Sequence, residues 1–155
     1  LSGNPSEINK ILKINLLGVI NSVIPFIPKM REQHSGSIAI ISSIAAFRGI
    51  PEHGAYSSSK AALQNISESW DYTLKPHGIS LTTIFPGYIN TEMTKDHKFQ
   101  MPFLMHSDKA SKIIADAIKR KKRRLILPWQ WKFIVPIFRI LPRFLIYRFT
   151  PNKKN

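Results

Sequence analysis

Two short β-branched apolar runs, SIAII at residues 37–41 and ISLTTIF at 79–85, each follow a stretch of helical composition and end in small or turn-forming residues. An apolar run of that length between turn signals is predicted to be a fully buried strand. Parallel strands need a crossover between them, usually a helix. Asn4-Pro5 places a capping side chain before a proline at the first helical position, and Ile8, Ile11, Leu12, Ile14 and Leu16 then recur near helical spacing. Pro25 and Pro28 are expected to kink or end this helix, which reads as amphipathic and buried. A signal-peptide core over residues 16–27 fits less well, because Asn21 and Ser22 interrupt it and no small-residue cleavage site follows. Residues 55–74 have helical composition up to Pro76-His77-Gly78, and Ser107 is predicted to cap a helix with Ala110, Ile113, Ile114, Ala117 and Ile118 on one face. Residues 125–127 form a third short strand. Helix and strand thus alternate three times, which predicts an α/β chain with a parallel sheet. Residues 42–51 read as a loop, and 92–105, with three Met and no clear period, as a flap.

The chain has no cysteine, which excludes a disulfide scaffold, a Cys nucleophile and thiolate zinc sites. Five scattered His show no paired ligand spacing, so no metal is predicted. The formal charge of +14 is unevenly placed: fourteen Lys/Arg and a single acid, Asp116, lie from Lys109 onward, leaving residues 1–108 close to neutral. A function inferred from net charge therefore belongs to the last third.

Tyr56 and Lys60 stand four apart in a predicted helix and share one face. A free tyrosine titrates near pH ~10, and a fixed ammonium beside it favours the phenolate. Such a Tyr can exchange protons with an alcohol or carbonyl. Ser43, thirteen residues earlier, ends a predicted strand, where ligands of open parallel sheets bind. By itself the Tyr-Lys pair also fits an exposed helix surface. His53 is expected to shape the loop or substrate entry, and Trp70, Met93 and Met101 to serve packing.

The flanks narrow the choice. IISSIAA at 40–46, AYSSSKAA at 55–62 and PGYINT at 86–91 occur in order, preceded by NLLG at 15–18. Together they resemble the catalytic half of the short-chain dehydrogenase/reductase family over residues 5–127. The resemblance implies the C-terminal part of a Rossmann-like doubly wound parallel sheet with flanking helices, and hydride transfer between an alcohol and a carbonyl with NAD or NADP. It implies Tyr56 as acid/base, Lys60 lowering its pKa and holding the nicotinamide ribose, Ser43 orienting the substrate oxygen, and Asn15 supporting a water-linked proton relay. Pro86, Gly87, Ile89 and Thr91 would contact the nicotinamide end. It also implies a cytoplasmic enzyme, paired into a homo-oligomer at full length.

The family's glycine-rich phosphate loop has no counterpart here. The seven glycines stand at 3, 18, 36, 49, 54, 78 and 87, none closer than five apart. The chain is therefore expected to be a C-terminal fragment, and Leu1 in place of Met agrees. The residue that selects NAD from NADP is absent with that loop. The alternative is an inactive remnant that binds a membrane surface or a partner. Residues 128–155 form a second unit, a basic aromatic extension in which Lys132, Arg139 and Arg143 share one helical stripe between bulky apolar residues. Its cations and prolines argue against a membrane span. The pattern fits an interfacial segment on anionic lipid, peripheral to the membrane, or an extension packed on its own domain; nucleic acid fits poorly. The apolar content of this tail and of the flap points to a hydrophobic alcohol or carbonyl substrate.

Overall fold

The computed structural model describes residues 4–92, 101–142 and 144–145. A continuous helix α1 (Pro5–Glu32) leads into β1 (Gly36–Ile41), α2 (Gly54–Leu74) and β2 (Ile79–Pro86). The short strands β3 (Ile89–Asn90) and β4 (Met105–His106) pair with each other, and α3 (Ser107–Lys119), β5 (Arg124–Leu127) and α4 (Trp131–Ile140) complete the order. β1, β2 and β5 form a parallel sheet in that order, with Ile38 opposite Leu81 and Ile84 opposite Leu125. This is the predicted α/β parallel arrangement. Gly78, at φ 73°, turns the chain from α2 into β2, a left-handed position that favours glycine.

Side chains alternate across a strand, so the sheet has two cores. On one face Ile38, Ile40, Ile79 and Leu81 close on Leu63 and Leu74 of α2, with Leu16, Val19, Val23, Ile27 and Met30 of α1 packed against them. On the other, Ile84, Leu125 and Leu127 meet Ala110 and Ala117 of α3.

The prediction of a fully buried β1 is corrected by this layering. α1 and α2 lie on the same side, and α3 reaches only β2 and β5, so Ser37, Ala39 and Ile41 are exposed. Nor does α1 end at its prolines or bury a whole face. Pro25 and Pro28 open a 3₁₀ turn (Ile24–Phe26) and the last α-helical segment (Ile27–Glu32), where a missing N–H costs least. No α1 residue is fully buried, and Ile14, Leu17 and Ile24 face solvent. By length and composition α1 could cross a membrane, but one side of it is committed to α2 and the sheet. Ser107 is the first residue of α3 rather than its cap; His106 holds that position without a side-chain bond, and Asp108 supplies the acid favoured in a first turn. Arg123 pairs with the buried Asp71 and so ties the start of β5 to α2.

Candidate active site

The carboxyl end of β1 carries two hydroxyls in different roles. Ser42 N–H donates to the Ile84 carbonyl at 2.8 Å and so prolongs the sheet, while Ser42 Oγ donates to the Lys60 carbonyl at 2.8 Å and fixes α2 to the strand end. Ser43 follows in extended conformation and caps a 3₁₀ turn (Ile44–Phe47), its Oγ accepting from Ala45 N–H at 3.1 Å. That hydroxyl also lies 3.5 Å from the Pro86 carbonyl, a long hydrogen bond across to the end of β2. Both serines are buried.

α2 begins at Gly54 and presents Tyr56 in its first turn, partly open to solvent at 37% exposure. One turn on, the Lys60 ammonium sits 5.7 Å from the Tyr56 ring centroid and donates to the Ile41 carbonyl at 3.0 Å. Burial pulls Lys60 below the ordinary lysine value of 10.5. The ammonium has three donors and Ile41 takes one, so it can still bind other oxygens.

Asn15 reaches the same place from α1. The helix widens into a π turn over Lys13–Leu17, a distortion frequent at functional sites. From it Asn15 Nδ2 donates to Ser59 Oγ at 3.3 Å, and Ser59 Oγ donates to the Tyr56 carbonyl at 2.7 Å. Ser59 is fully buried. Ser59 had no mark in the sequence beyond its place in a run of serines beside Tyr56. The structure thus brings Asn15, Ser43, Tyr56 and Lys60 to one end of the sheet.

Pro86 and Gly87 close β2, and Ile89 and Thr91 follow on and just past β3. Gly87 N–H donates to the Leu127 carbonyl at 2.7 Å. A Cβ at Gly87 would stand 2.4 Å from the Trp131 indole nitrogen, so this glycine is the seat on which α4 rests. Tyr88 lies edge-on to the same indole, with ring centroids 6.1 Å apart, and burial raises its pKa. Trp131 lies in the aromatic extension whose apolar content is expected to meet a hydrophobic substrate. Trp70 packs against the sheet core, as anticipated, and His53 Nδ1 lies 3.0 Å from the Pro51 carbonyl in the entry loop. Met93 and most of the predicted flap lie outside the described residues.

An apolar cavity of about 450 Å³ opens at the 3₁₀ turn that Ser43 caps, walled by Ile44, Ala45, Tyr88, Trp131, Val135 and Phe138. A more polar cleft holds the Asp71–Arg123 pair and serves as a structural tie away from the Tyr56–Lys60 pair. Among the described residues no group of three or more His, Cys, Asp or Glu is placed to hold a metal.

A three-stranded parallel sheet flanked by helices, with Ser43, Tyr56 and Lys60 gathered at its carboxyl end, is the framework of a Rossmann-like domain. A model described as short chain dehydrogenase matches residues 2–101, and the chain belongs to that family. An oxidoreductase of Myxococcus xanthus is 33% identical over 136 residues, covering 88% of this chain and 54% of that protein. An acetoacetyl-CoA reductase of Synechocystis is 38% identical over 90 residues, 58% of this chain and 38% of the relative. A Burkholderia cenocepacia short chain dehydrogenase solved in complex with NADP superposes with a TM-score of 0.80 at 23% identity, over 96% of this chain and 61% of that one. A Sphingobium yanoikuyae short-chain dehydrogenase in complex with NADPH gives 0.75 at 17% identity, over 99% and 61%. The match therefore covers between 38% and 61% of the length of these relatives. This chain's residues fit the nicotinamide end of such a cofactor, since Lys60 has donors to spare beside Tyr56. They do not fit the pyrophosphate end, for which no closely spaced glycines exist.

Proposed function

We propose that this chain supplies the proton-transfer half of an NAD(P)-dependent oxidoreductase that interconverts an alcohol and a carbonyl. The observation that carries the reading is the Lys60 ammonium held by the Ile41 carbonyl 5.7 Å from the Tyr56 ring, at the sheet end that Ser43 shares. Tyr56 and Lys60 would hold the cofactor ribose, and Pro86, Gly87, Ile89 and Thr91 its ring end. The bound nicotinamide would supply or accept the hydride.

The chain's own residues handle the oxygen. In reduction Ser43 Oγ turns from Pro86 to donate to the carbonyl oxygen, and Tyr56 gives that oxygen its proton as the C=O bond becomes C–O. The resulting phenolate is stabilised by Lys60 and regains a proton through water ordered by Asn15. Ser59 fixes Asn15 relative to Tyr56, so the relay and the acid keep one spacing. In oxidation each transfer runs backwards. The exposed Ile14, Leu17 and Ile24 on α1 support self-association of such a cytoplasmic enzyme.

A chimera carrying the amino-terminal half of the Myxococcus xanthus relative tests this reading. It should reduce a ketone with NADPH or NADH, and Tyr56→Phe should lower turnover about 10²- to 10⁴-fold, the range of general acid catalysis. Normal turnover in that variant would remove Tyr56 from the mechanism. The 155-residue chain alone, lacking a glycine cradle, should show no low-micromolar affinity for either cofactor by calorimetry.

A further inference from the structure

α4 has two apolar sides. At ~100° per residue, Trp131, Val135 and Phe138 fall within one arc and Phe133, Ile137 and Ile140 within another on the opposite side. The first set walls the cavity at the 3₁₀ turn that Ser43 caps. The second faces solvent, at 65%, 57% and 81% exposure, and Trp129 stacks edge-on against Phe133 to lengthen it. Lys132 and Arg139 lie on one flank between the two and share a hollow with Arg124. Arg48 donates to the Phe138 and Arg139 carbonyls and so fixes the carboxyl end of the helix.

We propose that the outer face of α4 enters an anionic lipid surface, and that the cavity behind it takes an alcohol or ketone dissolved in that lipid. The substrate part of this proposal rests on the oxidoreductase reading; the lipid part does not. Charge decides the occupant. No acidic residue follows Asp116 in the sequence, so two copies meeting through this face would set Lys132, Arg139 and Arg124 against the same cations. Anionic headgroups complement those cations while the acyl boundary takes up Trp129, Phe133, Ile137 and Ile140. A nucleic acid backbone would satisfy the cations and leave the apolar row in water. On the inner side, the Trp131 indole N–H is buried without a partner among the described residues, and an oxygen on an entering ligand would satisfy it.

Co-sedimentation of the 155-residue chain with vesicles tests the lipid half. Binding to phosphatidylcholine vesicles containing phosphatidylglycerol should exceed binding to phosphatidylcholine alone. Phe133→Ser/Ile137→Ser should weaken it about tenfold or more, while Ile24→Ser, on the exposed side of α1, should leave it unchanged. Circular dichroism should show all variants folded, since each substituted side chain is exposed. Brominated lipid should quench tryptophan fluorescence in the wild type and not in the double variant. Unchanged vesicle binding by the double variant, a loss as large in Tyr72→Ser on the exposed side of α2, equal binding to neutral vesicles, or a loss of self-association in its place would overturn the proposal. For the substrate half, 2-decanone should perturb tryptophan fluorescence of the free chain where 2-butanone does not; equal or absent responses would overturn that half alone. Turnover in Tyr56→Phe bears on the oxidoreductase reading and is independent of both results.

Discussion

The Tyr56 end of α2 and the α4 helix are held by different forces. Around Tyr56 the restraints are hydrogen bonds: Ser42, Ser59, Asn15 and Lys60 each link one element to another at a fixed atom. α4 rests on shape and grease, with Trp131 seated on Gly87, Val135 buried, and Arg48 at one end. A proton must be delivered to a single atom, and directional bonds fix atoms. A wall for an apolar ligand needs only a surface, and packing supplies it with room to shift.

The contrast can be broken at its scaffold first. Gly78 has a positive φ, and a Cβ there would stand 2.1 Å from the His34 carbonyl oxygen. Gly78→Ala should therefore cost about 3 kcal/mol or more, combining backbone strain with a clash against backbone, as read from urea melts. The next largest effect belongs to the junction between the regions. Gly87→Ala should unseat Trp131, lowering stability by roughly 1–3 kcal/mol and shifting tryptophan emission to the red, with the circular dichroism of the α2 region retained. If emission does not move, the two regions are not coupled through this glycine.

Ser59→Ala should cost about 1–2 kcal/mol, because it removes the bond accepted from the Asn15 amide and the bond donated to the Tyr56 carbonyl. In the chimera it should slow turnover without abolishing it. The smallest effect concerns pH. Burial lowers the folded-state pKa of Lys60 below 10.5, so the unfolded chain holds more protons just under that pH. Stability should rise as pH climbs from the lowered value toward 10.5, and Lys60→Met should flatten that rise.

What the sequence disclosed depended on range. β2, α2 and the alternation of elements were legible because apolar runs and turn residues act locally. The four candidate residues could be picked out because the family motifs place them in order. The exposed face of β1 was not, since SIAII reads the same whether or not a helix covers it. The π turn under Asn15 had no mark in NLLG, and Pro25 and Pro28 looked like stops because nothing local says that each opens a helical turn. In α4 the cationic stripe could be counted, but the division into an inner wall and an outer row depends on Gly87, forty-four residues before Trp131.

The one-sided packing of β1 also matters to how the chain behaves in bulk. Its outer edge pairs with no other strand among the described residues, and beside that edge Ile41 is 46% exposed. Such an edge is a template for another strand. Loss of soluble protein should therefore grow with concentration. Co-expression of a complementary βαβ half should raise the soluble yield more than any surface substitution on α4.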